Sequence, residues 1–280
     1  MTASDATQLL EIVNPDFPRG PFRVAIFDFD GTLSLIRRNW QNTMIPMMVD
    51  ELVKLNTGES PEELHNIVEQ FVMRLNGRQT IYQMIQLTEE IKKRGGKPRE
   101  PLEYKHQYHD LLWQQVSLRI DAIQSGKMTP EDATVPGSAE LLQTLQESGV
   151  ELYLASGTDL KYVELEVKLL TLHEYFAPRI HGALDDYKTF SKAKVIANII
   201  RDTNLNGEQI VGFGDGFVEI EEVKRVGGLA IGVASNEEER SGIDAWKRER
   251  LIRAGADIIL GDYRQRTELL RLIGIGPSMS

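Results

Sequence analysis

The sequence predicts an α/β protein in which a doubly wound, mainly parallel sheet is interrupted by an all-helical insert. Short runs rich in Val, Ile and Leu at 23–27, 150–155, 179–182, 209–213, 229–233 and 257–260 alternate with helical stretches, the pattern of βα units feeding a parallel sheet. The gap between the first and second runs is far longer than one crossover requires, so something is inserted there. Within the gap the periodicity becomes helical: Leu64, Ile67, Val68, Phe71, Val72 and Leu75 recur at three- and four-residue spacing.

Local signals justify the elements in turn. The insert is expected over 39–127, with 1–38 and 128–280 forming the α/β domain. Ser60-Pro61-Glu62-Glu63 opens one helix with a capping hydroxyl, a first-turn proline and acids suited to the helix dipole. Ile81, Met84, Ile85 and Ile91 continue the helical pattern, as do Leu111, Leu112, Leu118 and Ile123. Thr129-Pro130 and Val135-Pro136-Gly137-Ser138 mark the return, after which a helix over 139–147 leads through Gly149 to the second strand.

Composition bounds the function. The chain has 280 residues, 32 basic and 42 acidic, for a formal net charge of −10, with 41% apolar and 26% charged residues. That is an ordinary globular composition, and its negative balance argues against nucleic acid or an anionic membrane as the main partner. With no cysteine, thiolate catalysis, disulfides and Cys-ligated metals are excluded. Residues 1–17 combine neither a basic start nor an apolar run, and no stretch approaches the roughly 20 apolar residues of a membrane span. A cytoplasmic location is therefore expected.

The chemistry concentrates where apolar runs end. Phe27-Asp28-Phe29-Asp30-Gly31-Thr32 places two acids two positions apart at a strand's carboxyl end, where open parallel sheets bind ligands. Such crowding is costly without a cation, and a hard divalent ion such as Mg²⁺, which takes oxygen ligands, relieves it. Ser156-Gly157-Thr158, followed by a helical stretch from near Asp159, is expected to form an anion site at a helix N-terminus. Gly214-Asp215-Gly216, with Glu219 four positions beyond Asp215, brings a third carboxylate to another strand end. Between them, Lys188, Lys192 and Lys194 offer a cation near a helix start.

These four motifs, in this order, resemble those of the haloacid dehalogenase superfamily, specifically its aspartate-dependent phosphohydrolases; the likeness covers about 23–35 and 135–272. The resemblance implies a Rossmann-like core, with the insert as a helical cap. It further implies that Asp28 is a nucleophile forming an aspartyl phosphate and that Asp30 is the acid/base. Mg²⁺ is expected on the Asp28 carboxylate, the Asp30 backbone carbonyl and Asp215, with Glu219 counted among the metal residues although it could equally orient the lysine or face solvent. Ser156, with Thr32, Gly157 and Thr158, is expected to bind the phosphoryl group. Lys192 is preferred as the clamp lysine because it lies 23 residues before Asp215 and starts a helical stretch. Arg37 and Arg38, at the passage into the insert, are expected to touch the substrate.

The implied activity is a Mg²⁺-dependent phosphomonoester hydrolase acting on a small phosphorylated metabolite of phosphosugar, phosphoglycolate or nucleotide type. Two alternatives stay open: a sugar-phosphate phosphomutase, which returns the phosphoryl group to sugar, and a non-catalytic ligand-binding relative. Elsewhere, His106 and His109 with Asp110 lack a clear third zinc ligand, and Met44, Met47 and Met48 read as gap-filling core. The basic run 92–97 reads as a solvated loop.

Overall fold

A computed structural model describes residues 9–184 and 191–276. The chain forms two compact units, one of residues 1–38 and 128–280, the other of 39–127. In chain order the elements are β1 (Leu10–Ile12), β2 (Val24–Phe27), α1 (Gln41–Val53), α2 (Pro61–Arg74), α3 (Ile81–Lys93), α4 (Pro101–Gln124), α5 (Ser138–Glu147), β3 (Glu151–Asp159), α6 (Leu160–Leu169), α7 (His173–Phe176), β4 (Ile180–Ala183), α8 (Lys192–Thr203), β5 (Ile210–Gly214), α9 (Phe217–Arg225), β6 (Leu229–Val233), α10 (Ala245–Arg253), β7 (Ile258–Leu260) and α11 (Arg266–Leu272).

The first unit is a seven-stranded sheet in the order β1-β7-β6-β5-β2-β3-β4, parallel throughout except for the edge pair β1–β7. The expected mainly parallel α/β architecture is what forms. Strands β2, β5, β6 and β7 are buried at every position, as continuous apolar runs in such a sheet require. The sequence did not suggest β1, which is only three residues long and pairs its Leu10 with Leu260. A hydrogen-bonded edge partner, more than intrinsic propensity, makes it a strand.

Strand order and register place the chemistry. The sheet turns both ways from β2, which lies between β5 and β3, so the segments leaving β2 and β5 are immediate neighbours. Phe27 is in register with Phe213 and their rings stack, with centroids 4.4 Å apart and planes within 2°. Asp28 then donates its backbone N–H to the Phe213 carbonyl at 2.9 Å. The next residues of each strand therefore emerge side by side. Both phenylalanines are fully buried; Phe213→Ala is expected to cost about 3–5 kcal/mol, readable as a lower urea midpoint at unchanged slope.

The second unit is helical. Ser60 caps α2 through a reciprocal bond pair with Glu63, as the Ser-Pro-Glu-Glu run dictates. Met44, Met47 and Met48 are buried. The basic run is paired locally: Lys92 and Lys93 bridge Glu89 and Glu90, while Arg94 makes two bonds to Glu59. Among the described residues, no helix is long and apolar enough to cross a membrane.

Candidate active site

At the end of β2 the chain leaves the sheet in a locked turn. The N–H groups of Leu33 and Ser34 both donate to the Phe29 carbonyl, at 2.8 and 2.9 Å, and that of Gly31 donates to the Ser34 carbonyl at 2.9 Å. Gly31 has φ +74°, and a Cβ there would meet Asp215 Oδ2 at 2.3 Å. Only glycine combines that backbone with so close an approach of a carboxylate. Tyr263, fully buried, donates its hydroxyl to the Thr32 carbonyl at 2.9 Å and fixes the turn from behind.

Asp28, Asp215 and Glu219 bring ligand atoms within 4.8 Å of one another and are the one group of three potential metal ligands among the described residues. Lys192, the first residue of α8 behind the Ser191 cap, donates from Nζ to Asp28 Oδ1 at 2.9 Å and to Glu219 Oε2 at 2.8 Å. Lys194 is exposed and uses its N–H on that cap; Lys188 lies outside the described residues. Glu219 accepts on its other oxygen from the Gly216 N–H at 2.6 Å. Gly214 leaves space for this, since a Cβ there would sit 2.0 Å from Glu219 Cγ. Of the expectations for Glu219, orienting the lysine fits the structure best; both its oxygens are engaged, which weakens its expected part as a metal ligand.

Asp30 accepts from Thr158 Oγ1 at 2.7 Å through Oδ2 and lies 3.8 Å from Arg37 Nε through Oδ1. Ser156 Oγ is 3.5 Å from the same Oδ2 and accepts the Thr158 N–H at 3.0 Å. The helical stretch begins where expected, with Asp159 as the N-cap of α6. Residues Ser156, Gly157 and Thr158 remain in β3, which runs on to Asp159 through a register shift against β4, and α6 begins at Leu160. Extended backbone is favoured there because Asp159 still pairs with Ala183. From this segment Thr158 holds Asp30, just ahead of the α6 N-terminus.

Arg37, expected to touch the substrate, lies beside Asp30. Its guanidinium is buried and engages Glu166 Oε1 from both Nε (3.0 Å) and the terminal nitrogen (2.6 Å). The same guanidinium lies 3.8 Å from Asp30, so it couples Asp30 to Glu166. Arg38, half-buried, closes a turn through its N–H on the Leu35 carbonyl at 3.2 Å.

Three residues absent from the sequence reading complete the site. Lys247, near the start of α10, donates from Nζ to Asp215 Oδ2 at 3.0 Å, Glu237 Oε1 at 2.6 Å and Ser235 Oγ at 3.3 Å. Ser235 in turn donates to the Gly31 carbonyl at 2.6 Å. Asp244 capping Lys247 N–H at 2.8 Å was the one signal in the sequence, an N-cap placing a lysine on the first helical turn.

The electrostatics follow from burial. It pushes the Asp28 carboxyl well above the usual carboxylate range, with Lys192 opposing and Glu219 and Asp215 adding to the rise. Burial likewise lifts Asp30 against Arg37, and lifts Asp215 to about 6 against Lys247. Glu166 is pushed up to about 7 because burial outweighs the guanidinium. Burial disfavours the charge of Lys192, yet Asp28 and Glu219 hold it protonated, and Glu219 is drawn down despite burial chiefly by that ammonium.

Whether these residues suit a divalent cation is decided by charge and by unmet bonding. Among the described residues, Asp28, Asp30, Glu166, Asp215, Glu219 and Glu237 are linked to only three cations, Arg37, Lys192 and Lys247. The buried Asp30 Oδ1 and Thr32 Oγ1 have no hydrogen-bond partner. A net negative, oxygen-only donor set with unsatisfied polar atoms fits Mg²⁺ and an entering oxyanion.

Comparisons with known proteins bear on the fold and the family. Solved structures of similar fold include a predicted phosphoglycolate phosphatase from Haemophilus somnus (15% identity, TM-score 0.54, covering 89% of this chain and 97% of that one). A β-phosphoglucomutase from Clostridium difficile matches at 14% identity and TM-score 0.58, covering 90% and 97%. A hydrolase of the same superfamily from Deinococcus radiodurans, solved with bound phosphate and sodium, matches at 16% and 0.53, covering 92% and 99%. No curated protein matches significantly. The family model for haloacid dehalogenase-like hydrolases matches residues 22–227, well over half of the chain and inclusive of every acid and lysine of the expected motifs. The chain is accordingly a member of the haloacid dehalogenase-like hydrolase family.

Proposed function

We propose that this hydrolase is a Mg²⁺-dependent phosphatase that cleaves small phosphorylated metabolites through an aspartyl phosphate on Asp28. The observation carrying this reading is the convergence of Asp28, Asp215 and Glu219 within 4.8 Å, with Lys192 Nζ 2.9 Å from the Asp28 carboxylate. A carboxylate nucleophile flanked by a fixed ammonium and a cation site suits an electrophile bearing several anionic oxygens.

In the first half-reaction a carboxylate oxygen of Asp28 attacks phosphorus as the ester P–O bond breaks, and Asp30 gives its proton to the departing oxygen. Thr158 holds the Asp30 carboxyl, and burial raises its proton affinity against Arg37, in the direction that a proton donor needs. In the second, Asp30 takes a proton from water, the water oxygen bonds to phosphorus, and the P–O bond to Asp28 breaks to release inorganic phosphate. Lys192 holds Asp28 in place and offsets charge on the phosphoryl oxygens, and the unpartnered Thr32 hydroxyl is a donor for one of them. Asp28 and Asp215, with the Asp30 backbone carbonyl, would hold Mg²⁺. When bound, the ion neutralises the carboxylates that otherwise repel an incoming phosphate. A cytoplasmic location goes with this substrate class.

Assay against a panel of sugar phosphates, phosphoglycolate and nucleoside monophosphates is expected to release inorganic phosphate with Mg²⁺ present. Chelation with EDTA should abolish release, and added Mg²⁺ should restore it. Isomerised sugar phosphate without free phosphate would instead identify a mutase, and inertness toward every ester would overturn the enzymatic reading.

A further inference from the structure

Each of the three site aspartates is held by a cation that is itself held by a glutamate. Asp28 has Lys192 and Glu219, Asp30 has Arg37 and Glu166, and Asp215 has Lys247 and Glu237. Like the first set, the third has a cation on an oxygen of an acid that would ligate the metal; unlike Lys192, its lysine faces no nucleophile, so its effect on the metal can be read apart from the chemistry. Lys247 is buried and bound at three points, to Asp215 Oδ2 at 3.0 Å, Glu237 Oε1 at 2.6 Å and Ser235 Oγ at 3.3 Å. Ser235 is anchored to the Gly31 carbonyl, and a Cβ at Gly31 would lie 3.1 Å from Glu237 Oε1. The ammonium is thus built into the turn that carries Asp30.

We propose that Lys247, fixed by Glu237, is a resident counter-charge that holds Asp215 in position with or without the metal and tempers the site's affinity for divalent cations. The proposal rests on the reading of Asp215 as a metal ligand. An ammonium hydrogen-bonded to one carboxylate oxygen repels a divalent ion at the other, and in a buried setting that repulsion outweighs the one hydrogen bond by which the ammonium orients the acid. The two residues should therefore act with opposite signs. Removing the lysine strengthens metal binding, whereas removing the glutamate charge weakens it. Residues that merely supported the fold would weaken binding whenever either was lost.

Calorimetric titration of Mg²⁺ into the full chain, with no substrate present, tests this. Wild type is expected to bind one ion. Lys247→Met should bind at least tenfold more tightly and gain more in Tm from saturating Mg²⁺, since two acids lose their cation without the metal. Lys247→Arg should restore near wild-type affinity, and Glu237→Gln should bind several-fold more weakly. Wild-type binding with equal or weaker affinity in Lys247→Met overturns the proposal while leaving the metal site intact. Should that variant not fold, Lys247→Gln, which keeps a hydrogen-bond donor without the charge, decides: tighter binding than wild type supports the proposal and equal or weaker binding overturns it. Absence of any Mg²⁺ binding by wild type overturns the metal reading and the proposal with it.

Discussion

Asp28→Asn is expected to lower phosphate release by about three orders of magnitude or more, while leaving the fold as stable as wild type or more so. The two halves of that expectation have one cause. Asp28 is buried, and burial with the nearby Glu219 and Asp215 raises the cost of its charge, so an isosteric amide relieves repulsion. Lys192 keeps Glu219 as a partner at 2.8 Å and is not left uncompensated. The amide is nonetheless a poor nucleophile toward phosphorus. Stability held for chemistry and not for folding is the usual mark of a reacting group. Steady-state phosphate release and thermal unfolding, measured on the same preparation, check both halves. Retained turnover removes Asp28 from the nucleophile role, and a large fall in Tm makes it a structural acid.

Asp30→Asn should produce the next largest effect, a loss of about 10²–10⁴ in turnover, distributed unevenly between the steps. With a poor leaving group, the first half-reaction stalls because nothing protonates the departing oxygen. With a good leaving group such as p-nitrophenolate, that protonation is dispensable and the loss falls on water attack. A burst of p-nitrophenol approaching one equivalent per chain, followed by slow release, is the expected record. Thr158 would lose its carboxylate acceptor, but the Asn carbonyl can accept the same bond, which limits structural disturbance. An unaltered rate with both kinds of leaving group would contradict the acid/base assignment.

The centre of the sheet was legible because β2, β5, β6 and β7 are buried at every position. Runs such as Ile210–Gly214 and Leu229–Val233 have no polar residue to confuse with a helix face. Lys192 was legible for a different reason: its helix has a clear cap and apolar stripe, and the spacing to Asp215 discriminated it from Lys194, which the structure leaves exposed. Other parts were hidden by polarity. The Ser156–Asp159 stretch reads locally as the approach to a helix cap, and the cap falls at Asp159; what the sequence does not show is that β3 runs on to that cap through a register shift against β4. Glu166 sits in a helix whose sequence alternates charge and apolar residues, so its burial beside Arg37 has no local signature. Glu237 and Lys247 lie in one of the most highly charged stretches of the chain, where solvated side chains are the ordinary expectation. A long-range ion pair between residues 215 and 247 leaves no periodicity to read.

The covalent role of Asp28 is tested most directly by locating the phosphoryl group. The Asp30→Asn protein is mixed with p-nitrophenyl phosphate and Mg²⁺, quenched in acid during the burst, digested and mapped by mass spectrometry. One phosphoryl group should appear on the peptide containing Asp28, be removed by hydroxylamine as an acyl phosphate is, and be absent from the Asp28→Asn, Asp30→Asn double variant. Phosphate release with no phosphorylated peptide at any time point, or phosphorylation on a different residue, would contradict it.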